Sequence, residues 1–497
     1  MPDDDGLLQH LRGHLLGQAN ADGGDPGRVP APLNKYALSG VILASTNSVL
    51  LGYDIGVMSG AVLFIRESLE ISPVQVEVLV GSLNVVSLIG SLAAGWTSDR
   101  IGRRYTITLA ALTFLVGAIL MGLAPSFPVL MVGRVVAGIG VGYALTIAPV
   151  YAAELSPATT RGFLSSLPEV FINVGILLGY VSNYMLAGLP GDVSWRVMLG
   201  LAAFPSLAIV VGVMAMPESP RWLVMQGRTA EAKGVLAKTL DGDLAEAESR
   251  LNEIIKAANL GDSSLDLAEQ RRGVWEELLW RPSPPVRRIL IAAVGVNFFM
   301  QASGNDAVVY YSPEVLRDAG IDSKQQLVGV TIIMGIAKVV FAFISAIFLD
   351  RFGRRPLLIL GSAGMTVSLA GLGVGSKFLG STGSNPPWAI ALFIATLCAD
   401  VSFFSIGLGP IAWVYSSEIF PTRLRAQGTS LAIAVNRMVS GVVAMSFLSA
   451  TRAMTFGGTF FVLAGIMCVA SAFIYFFIPE TKGKNLEEIW DLFDPDC

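Results

Sequence analysis

The stretch Ser98-Asp-Arg-Ile-Gly-Arg-Arg104 recurs as Leu349-Asp-Arg-Phe-Gly-Arg-Arg355, about half a chain length later. Each copy follows one long apolar run and precedes another, so each is predicted to be a short charged turn between two membrane helices. Its glycine allows a tight backbone, and its arginines are too costly to place in hydrocarbon. Two halves with an equivalent cationic turn are typical of a repeat-based membrane transporter.

Composition places the chain among membrane proteins. Its 497 residues are 53% hydrophobic and 14% charged, whereas soluble proteins carry about 25% charged residues. Apolar runs of about 20 residues predict about twelve membrane helices in an all-α polytopic fold. The predicted spans begin near Ala37, Glu77, Tyr105, Pro128, Gly162, Arg196, Arg288, Leu327, Pro356, Trp388, Arg425 and Phe456.

The predicted spans divide the chain into two six-helix halves. The predicted segments are a disordered cytosolic tail (1–34), an N-terminal half (35–216), a cytosolic linker of short amphipathic helices (217–287), a C-terminal half (288–479) and a cytosolic tail (480–497). Lys and Arg cluster on alternate sides of successive spans, which by the positive-inside rule places those turns and both termini in the cytosol.

A carboxylate in the first span, Asp54, is costly in a membrane unless it is paired or hydrated. One interpretation is a structural carboxylate at the membrane edge. The other is a titrating proton carrier whose cationic partner is Arg134 in the Gly-rich fourth span. Binding and protonation would then rearrange this pair.

Carboxylates and arginines recur in register at the cytosolic ends of both halves. We predict an ionic latch between the two halves, which holds the outward-open state and breaks when the inside opens. Static helix capping is the alternative. The latch residues are Asp99, Arg103, Glu154, Arg161, Glu218, Arg221, Asp350, Arg354, Glu418, Arg425 and Glu480.

The seventh span contains two helix breakers, Gly304 and Pro313, and is predicted to be discontinuous. Polar side chains lie beside the break, at Gln301, Asn305 and Asp306. They supply the donors and acceptors that a polyhydroxyl solute needs. The following pair, Tyr310 and Tyr311, is predicted to form an aromatic lid on the extracellular side.

Three further polar or aromatic side chains interrupt apolar runs. Glu169 lies in the fifth span, Trp413 beside the Gly409-Pro410 break of the tenth, and Asn436 in the eleventh. A tryptophan beside such a break can form a platform for the C–H face of a sugar, although helix packing is the alternative for Trp413.

Several function classes are disfavoured by the sequence. Its three cysteines have no metal-ligand spacing, its two histidines both lie in the first 14 residues, and no nucleotide-binding loop or nucleophile elbow is present. We therefore expect no enzyme activity, no metal, no cofactor other than a coupling proton, and no nucleic-acid partner.

Five motifs occur together in order: Asp-Arg-x-Gly-Arg-Arg twice, Pro217-Glu-Ser-Pro-Arg221, Gly409-Pro-x-x-Trp413 and Pro479-Glu-Thr-Lys-Gly483. Together they resemble the sugar porter family of the major facilitator superfamily. The stretch Gly52–Ala61 and the stretch Leu167–Phe171 are similar to its plant polyol transporter branch.

This resemblance implies a twelve-span fold with the solute site between two six-helix halves. It also implies proton acceptance at Asp54 with Arg134 as partner. The solute site would fall on Glu169, Gln301, Asp306, Trp413 and Asn436. Many sugar porters carry Gln at the position of Glu169 and Asn at that of Asp306. Met300 and Asn305 also depart from the family pattern and suggest a shifted solute preference.

The combined expectation is a monomeric, proton-coupled symporter of neutral polyols, cyclic polyols included, or monosaccharides. It would work by alternating access in the plasma membrane or the vacuolar membrane. An uncoupled facilitator is the first alternative. A solute sensor without transport is a weaker one, because few residues follow Pro479 and sensors usually carry a long signalling tail.

Overall fold

A computed structural model describes residues 34–156, 161–240, 243–259, 275–318, 323–378, 387–421, 424–482, 489 and 492–493. The predicted disordered tail, apart from Asn34, lies outside the described residues, as do most of the C-terminal tail and the side chain of Arg161. Within the described ranges the chain is helical and contains no strand.

The N-terminal half contains six spans, the last in two pieces. They are α1 (Lys35–Ser68), α2 (Pro73–Ile101), α3 (Arg103–Gly122), α4 (Phe127–Leu155), α5 (Arg161–Leu186), α6 (Gly191–Gly200) and α7 (Ala203–Val213). Side chains fix where these helices begin. Asn34 accepts from the backbone N–H groups of Tyr36 and Ala37, and Ser72 and Gln75 form a capping box.

The linker between the halves contains the predicted short helices. They are α8 (Pro220–Met225), α9 (Thr229–Thr239), α10 (Leu244–Asn259) and one π-helical turn (Glu276–Trp280). The first three share a small apolar core of their own, which includes Trp222, Leu236 and Leu251. Asn34 donates to the carbonyl of Lys238 at 3.0 Å, which ties α9 to the start of α1.

The C-terminal half repeats the pattern with a broken seventh span. Its helices are α11 (Pro284–Ala302), α12 (Asn305–Tyr310), α13 (Ser312–Asp318), α14 (Lys324–Phe352), α15 (Arg354–Phe378), α16 (Pro387–Ile406), α17 (Leu408–Glu418), α18 (Arg425–Met454) and α19 (Phe456–Phe477). Every span begins within about five residues of its predicted start, which is within the usual uncertainty of helix boundaries.

The twelve-span prediction is confirmed. Eleven spans of the described residues are long and apolar enough to cross a membrane. The seventh falls outside that set because it is interrupted at Gly304, which adopts the left-handed φ of 78°, and again at Tyr311. The first break lies at Gly304, one of the two helix breakers on which the prediction of a discontinuous span was based. The second precedes Pro313, which lies in the first turn of α13.

Two seams join the halves. In one, α2 packs against α18, and in the other α5 packs against α14. These are the second and eleventh spans and the fifth and eighth spans. Exchanging the halves converts one seam into the other, which is the relation expected of a pseudo-twofold axis between two repeats.

The two charged turns have the same backbone geometry. Gly102 has a φ of 97° and Gly353 a φ of 90°, a region that side-chain-bearing residues rarely adopt. In each case a Cβ atom would also collide with a carboxylate, that of Glu218 in the first turn and that of Glu480 in the second. The glycine is therefore required twice, by conformation and by space.

Close glycine contacts hold α1 against α5. A Cβ at Gly52 would collide with the backbone carbonyl of Ile172, and one at Gly175 with the backbone of α1. Apposed small residues let membrane helices approach closely where hydrophobic burial cannot drive their association. Large apolar side chains such as Phe204, Val367 and Phe476 are exposed on the outer surface, as expected for contact with lipid.

We expect Gly52→Ala to destabilise the fold by about 1–3 kcal/mol, because the obstacle is backbone that cannot rotate away. The measurement is thermal unfolding of the purified protein in detergent. Gly191→Ala is the matched control, since a Cβ there meets nothing within 4 Å. Equal melting temperatures for the two variants would contradict this account of the α1–α5 contact.

Candidate functional site

The N-terminal half buries an ion pair. Asp54 on α1 and Arg134 on α4 are 2% and 0% exposed. Arg134 Nη1 donates to both carboxylate oxygens of Asp54 at 2.7 Å, and its other nitrogens donate to the carbonyls of Leu79 at 3.0 Å and Val80 at 3.1 Å. The pair therefore ties α1, α2 and α4 together. The structure thus shows the contact between Asp54 and Arg134 that the sequence only suggested.

The C-terminal half contains a second polar cluster, on α11, α12 and α18. Arg437 Nη2 lies 3.8 Å from Asp306 Oδ2, which also accepts from Ser440 at 2.9 Å. The amide of Gln301 fits best with its NH₂ group donating to Asp306 at 2.8 Å and its oxygen accepting from Arg437 at 2.6 Å. Arg437 Nε donates to Asn436 Oδ1 at 2.9 Å. Predicted solute residues thus come together here.

The two halves meet at Glu169 and Trp413. Trp413 Nε1 donates to Glu169 Oε2 at 3.0 Å, and Asn173 donates to the other oxygen at 3.3 Å. The gap beside them is too narrow for a water molecule and is lined in part by Ser48 and Pro149. In this conformation the residues predicted to bind solute therefore bind one another, and the centre is occluded.

Several buried polar atoms of the N-terminal half, including Ser48 beside this gap, make no hydrogen bond within the described part of the chain. These atoms are Ser45 Oγ, Asn47 Nδ2 and Oδ1, Ser48 Oγ, Asn84 Oδ1 and Asn173 Oδ1. Buried polar groups are normally paired. Sequence reasoning missed the α1 group, although the run Ser45-Thr-Asn-Ser48 inside an apolar span was a visible signal.

Lys338 on α14 was also missed. It is 1% exposed, donates to Asn305 Oδ1 at 3.1 Å and lies 4.7 Å from the ring centroid of Phe404. A single lysine in the apolar run 327–349 was the available signal, because such residues are rare in spans and face the bundle interior. Asn305, the departure noted above, is its hydrogen-bond partner.

The predicted lid residues lie at the second break of the seventh span. Tyr311 donates to the carbonyl of Ala444 at 2.9 Å and stacks on Phe447. The Tyr310 hydroxyl accepts a 3.5 Å bond from Asn84 of the other half. Both tyrosines are buried.

A carboxylate–arginine cluster surrounds the charged turn of the N-terminal half. Arg103 donates to both oxygens of Glu154 at 3.0 and 3.1 Å and to Asp99 at 3.2 Å. Glu218 accepts from the backbone N–H of Arg103 at 2.9 Å. Burial raises the pKa of Glu218 above its ordinary value, while backbone N–H donors, including those of Ser219 and Arg103, oppose the change.

The C-terminal half contains the equivalent cluster. Arg354 donates to both oxygens of Glu418 at 2.8 and 3.2 Å, and its Nη1 lies 3.2 Å from Asp350. Glu480 accepts from the backbone N–H groups of Arg354 at 3.0 Å and Arg355 at 2.9 Å. Each member has a counterpart in the N-terminal cluster.

These ion pairs lie within each half, which corrects the predicted latch. Arginine and carboxylate of one repeat satisfy each other, because both belong to the same turn and helix ends. The bond across the halves at this end is a helix cap instead: Asp350 Oδ2 accepts from the backbone N–H of Phe163 at 3.1 Å, at the start of α5. Arg221 lies within electrostatic range of Glu154, and Arg425 donates to the carbonyl of Phe420.

Residues 40–493 match the family described as "Sugar (and other) transporter". The chain belongs to this sugar transporter family. Its members are carriers rather than enzymes, and a twelve-span bundle with two repeats is the fold found here. Among curated relatives, polyol transporter 5 of Arabidopsis thaliana is 54% identical over 93% of this chain and 87% of its own length. The D-xylose transporter of Levilactobacillus brevis is 34% identical over 89% and 92%.

Solved structures of this transporter family share the fold. The proton:xylose symporter XylE bound to 6-bromo-6-deoxy-D-glucose aligns with a TM-score of 0.81 at 28% identity, over 92% of this chain and 99% of that one. The inward-open conformation of XylE from E. coli aligns with a TM-score of 0.71, at 28% identity, over 92% and 100%. The lower score fits a chain whose halves are joined by Asp350 and Phe163 at the end that carries the charged turns.

We expect Asp350→Ala to favour the inward-open state of this transporter. Loss of a hydrogen bond to a charged group is worth about 1.5–3 kcal/mol, and 1.4 kcal/mol corresponds to about tenfold. With the native cysteines replaced, a Leu164→Cys probe on buried α5 should react with a maleimide about tenfold faster. Glu480→Ala is the control, since it removes an equivalent cap within one half. Equal acceleration by both variants would contradict the assignment.

Proposed function

We propose that this chain is a proton-coupled symporter of neutral polyols, with related monosaccharides as further substrates, and that it works by alternating access. The observation that carries the proposal is the buried Asp54–Arg134 pair beside a polar centre shared by both halves. Relatives support the proposal. A protein named polyol transporter 5 is 54% identical to this chain, and a structural neighbour is described as a proton:xylose symporter.

Proton coupling follows from the geometry of the pair. Ionised Asp54 holds Arg134 through one guanidinium nitrogen, and the rest of that guanidinium is fixed to α2. Protonation of Asp54 from the outside removes the charge that attracts Arg134, so α1 can move relative to α2 and α4. Tyr310 of the broken seventh span contacts Asn84 of α2 at 3.5 Å, which connects the helix that carries Asp306 to the helix that holds Arg134.

Solute binding replaces the bonds that the occluded centre makes with itself. A polyol between the halves would separate Trp413 from Glu169 and offer hydroxyls to both. It would also supply partners for the unpaired atoms of Ser45, Asn47 and Ser48, since each hydroxyl is both donor and acceptor. Gln301, Asp306 and Asn436 would bind its other end.

Release to the cytosol requires α5 to leave α14. The Asp350–Phe163 bond is the contact that must break, while the clusters around Arg103 and Arg354 keep each half rigid. We further propose that both termini are cytosolic, that the carrier is a monomer in the plasma membrane or the vacuolar membrane, and that no cofactor other than the proton takes part.

We expect Asp54→Asn to abolish accumulation of solute above its external concentration while leaving exchange across the membrane. A neutral side chain cannot alternate between protonated and ionised forms, so the proton gradient no longer drives a cycle. The measurement is uptake of labelled sorbitol and myo-inositol by proteoliposomes with an imposed pH gradient, with counterflow as the second readout. Glu253→Gln, an exposed carboxylate on α10, is the control. Undiminished accumulation by Asp54→Asn would leave the uncoupled facilitator as the function.

We expect Glu169→Gln to raise the KM for polyols about 10–100-fold, since a hydrogen bond to a charged acceptor is worth about 1.5–3 kcal/mol. The ratio of polyol to aldose transport should fall at the same time. Trp413→Phe is the companion variant, because it keeps the ring and removes only the Nε1 donor. If Glu169→Gln left the KM for every solute unchanged, Glu169 would not be a solute ligand.

A further inference from the structure

The buried charges in the middle of the bundle do not balance. In the described residues, four carboxylates lie between the charged ends of the bundle, accompanied by three cations. The carboxylates are Asp54, Glu169 and Asp400, which are buried, and Asp306, whose side chain is 14% exposed; the cations are Arg134, Lys338 and Arg437. A net buried charge is strongly unfavourable in a low-dielectric interior. One carboxylate is therefore expected to be neutral when the centre is occluded.

Hydrogen bonding distinguishes the four. Asp54 accepts twice from Arg134, Asp306 accepts from Ser440 beside Arg437, and Glu169 accepts from Trp413. Ionised carboxylates require such donors. Asp400 on α16 is 0% exposed, and neither of its oxygens has a hydrogen-bond partner in the described part of the chain.

Lys338 is the cation that faces Asp400. Its ammonium lies over the ring of Phe404, which is one turn from Asp400 on the same face of α16, and donates to Asn305 on α12. Lys338 therefore lies within electrostatic range of Asp400, and also of Glu169 and Asp306.

The other helices packed on α16 bring no further charge to this position. On α15 the charged residues lie at the ends, at Arg354, Arg355 and Lys377. On α17 the titratable groups are Tyr415 and Glu418, at the cytosolic end. Asp306 is the charged group of α12.

We propose that Asp400 is a second proton-binding site of this carrier, protonated in the occluded conformation and controlled by Lys338. This inference rests on the proposed proton symport and adds a site in the C-terminal half. When the bundle opens, water reaches Asp400, its proton leaves to that water, and Lys338 turns from Asn305 toward the carboxylate. Transport then depends on pH through Asp400 as well as through Asp54.

Infrared difference spectroscopy of proteoliposomes, with and without saturating sorbitol at neutral pH, tests the protonation state. The Asp54→Asn background removes the other proposed proton carrier. There we expect the carbonyl band of a protonated carboxylic acid, which the further change Asp400→Asn should remove and Glu253→Gln should leave in place. Absence of that band from Asp54→Asn, or its persistence after the further change Asp400→Asn, would overturn the proposal.

Lys338→Met provides a second variant in case Asp400→Asn fails to fold. Removal of this cation should keep the acid band present to a higher pH than in the wild type. A band lost at the same pH would show that Lys338 does not control the site and would contradict the proposal.

Sorbitol counterflow in the Asp54→Asn background separates this site from the coupling site. We expect counterflow there to vary with pH, and the further change Asp400→Asn to flatten that profile. An unchanged pH profile would count against Asp400. Continued accumulation by Asp54→Asn alone would instead refute the role of Asp54 and leave the Asp400 measurements intact.

Discussion

A charge inside the bundle must find a partner there, because hydrocarbon offers none. This constraint explains most of the specific contacts. In the two charged turns, Arg103 and Arg354 are each enclosed by carboxylates of their own half. In the middle, Arg134 holds Asp54 and Arg437 lies beside Asp306. These four arginines therefore find their partners within their own half, whereas the partly exposed pair of Arg66 and Glu314 joins the two halves at 3.8 Å.

The hydrogen bonds that join the two halves are weaker and more easily exchanged. They are neutral or involve one charged group: Trp413 to Glu169 at the centre, Ser430 to the carbonyl of Ser91, and Phe163 N–H to Asp350 at the end with the charged turns. At the outer end Glu77 accepts from the backbone and hydroxyl of Ser449. Each of these can be replaced by water or by a solute hydroxyl at little net cost. Strong bonds within halves and replaceable bonds between them are what alternating access requires.

The repeat also explains why the structure of the two charged turns could be predicted from short stretches of sequence. Gly102 and Gly353 adopt the same unusual φ because the same carboxylate, Glu218 or Glu480, must approach the backbone in both halves. Motif and geometry agree there, since the turn is made of neighbouring residues. The same local logic predicted the break at Gly304 and the starts of the spans. The charged side chains at the centre of the bundle do not repeat in this way, because the N-terminal half has no charged residues at the positions equivalent to Lys338 and Asp400.

The sequence by itself determined the class of the protein, its spans, the charged turns between them and the polar side chains that lie inside the spans. These follow from hydropathy, glycine placement and the rarity of charges in apolar runs, which are local properties. Only the tertiary structure decided that Asp54 touches Arg134, that the ions of the charged turns pair within halves, and that Lys338 donates to Asn305 beside the ring of Phe404. Those facts depend on which helix faces meet inside the bundle, and contacts between residues as far as 372 positions apart are fixed by packing rather than by sequence neighbours.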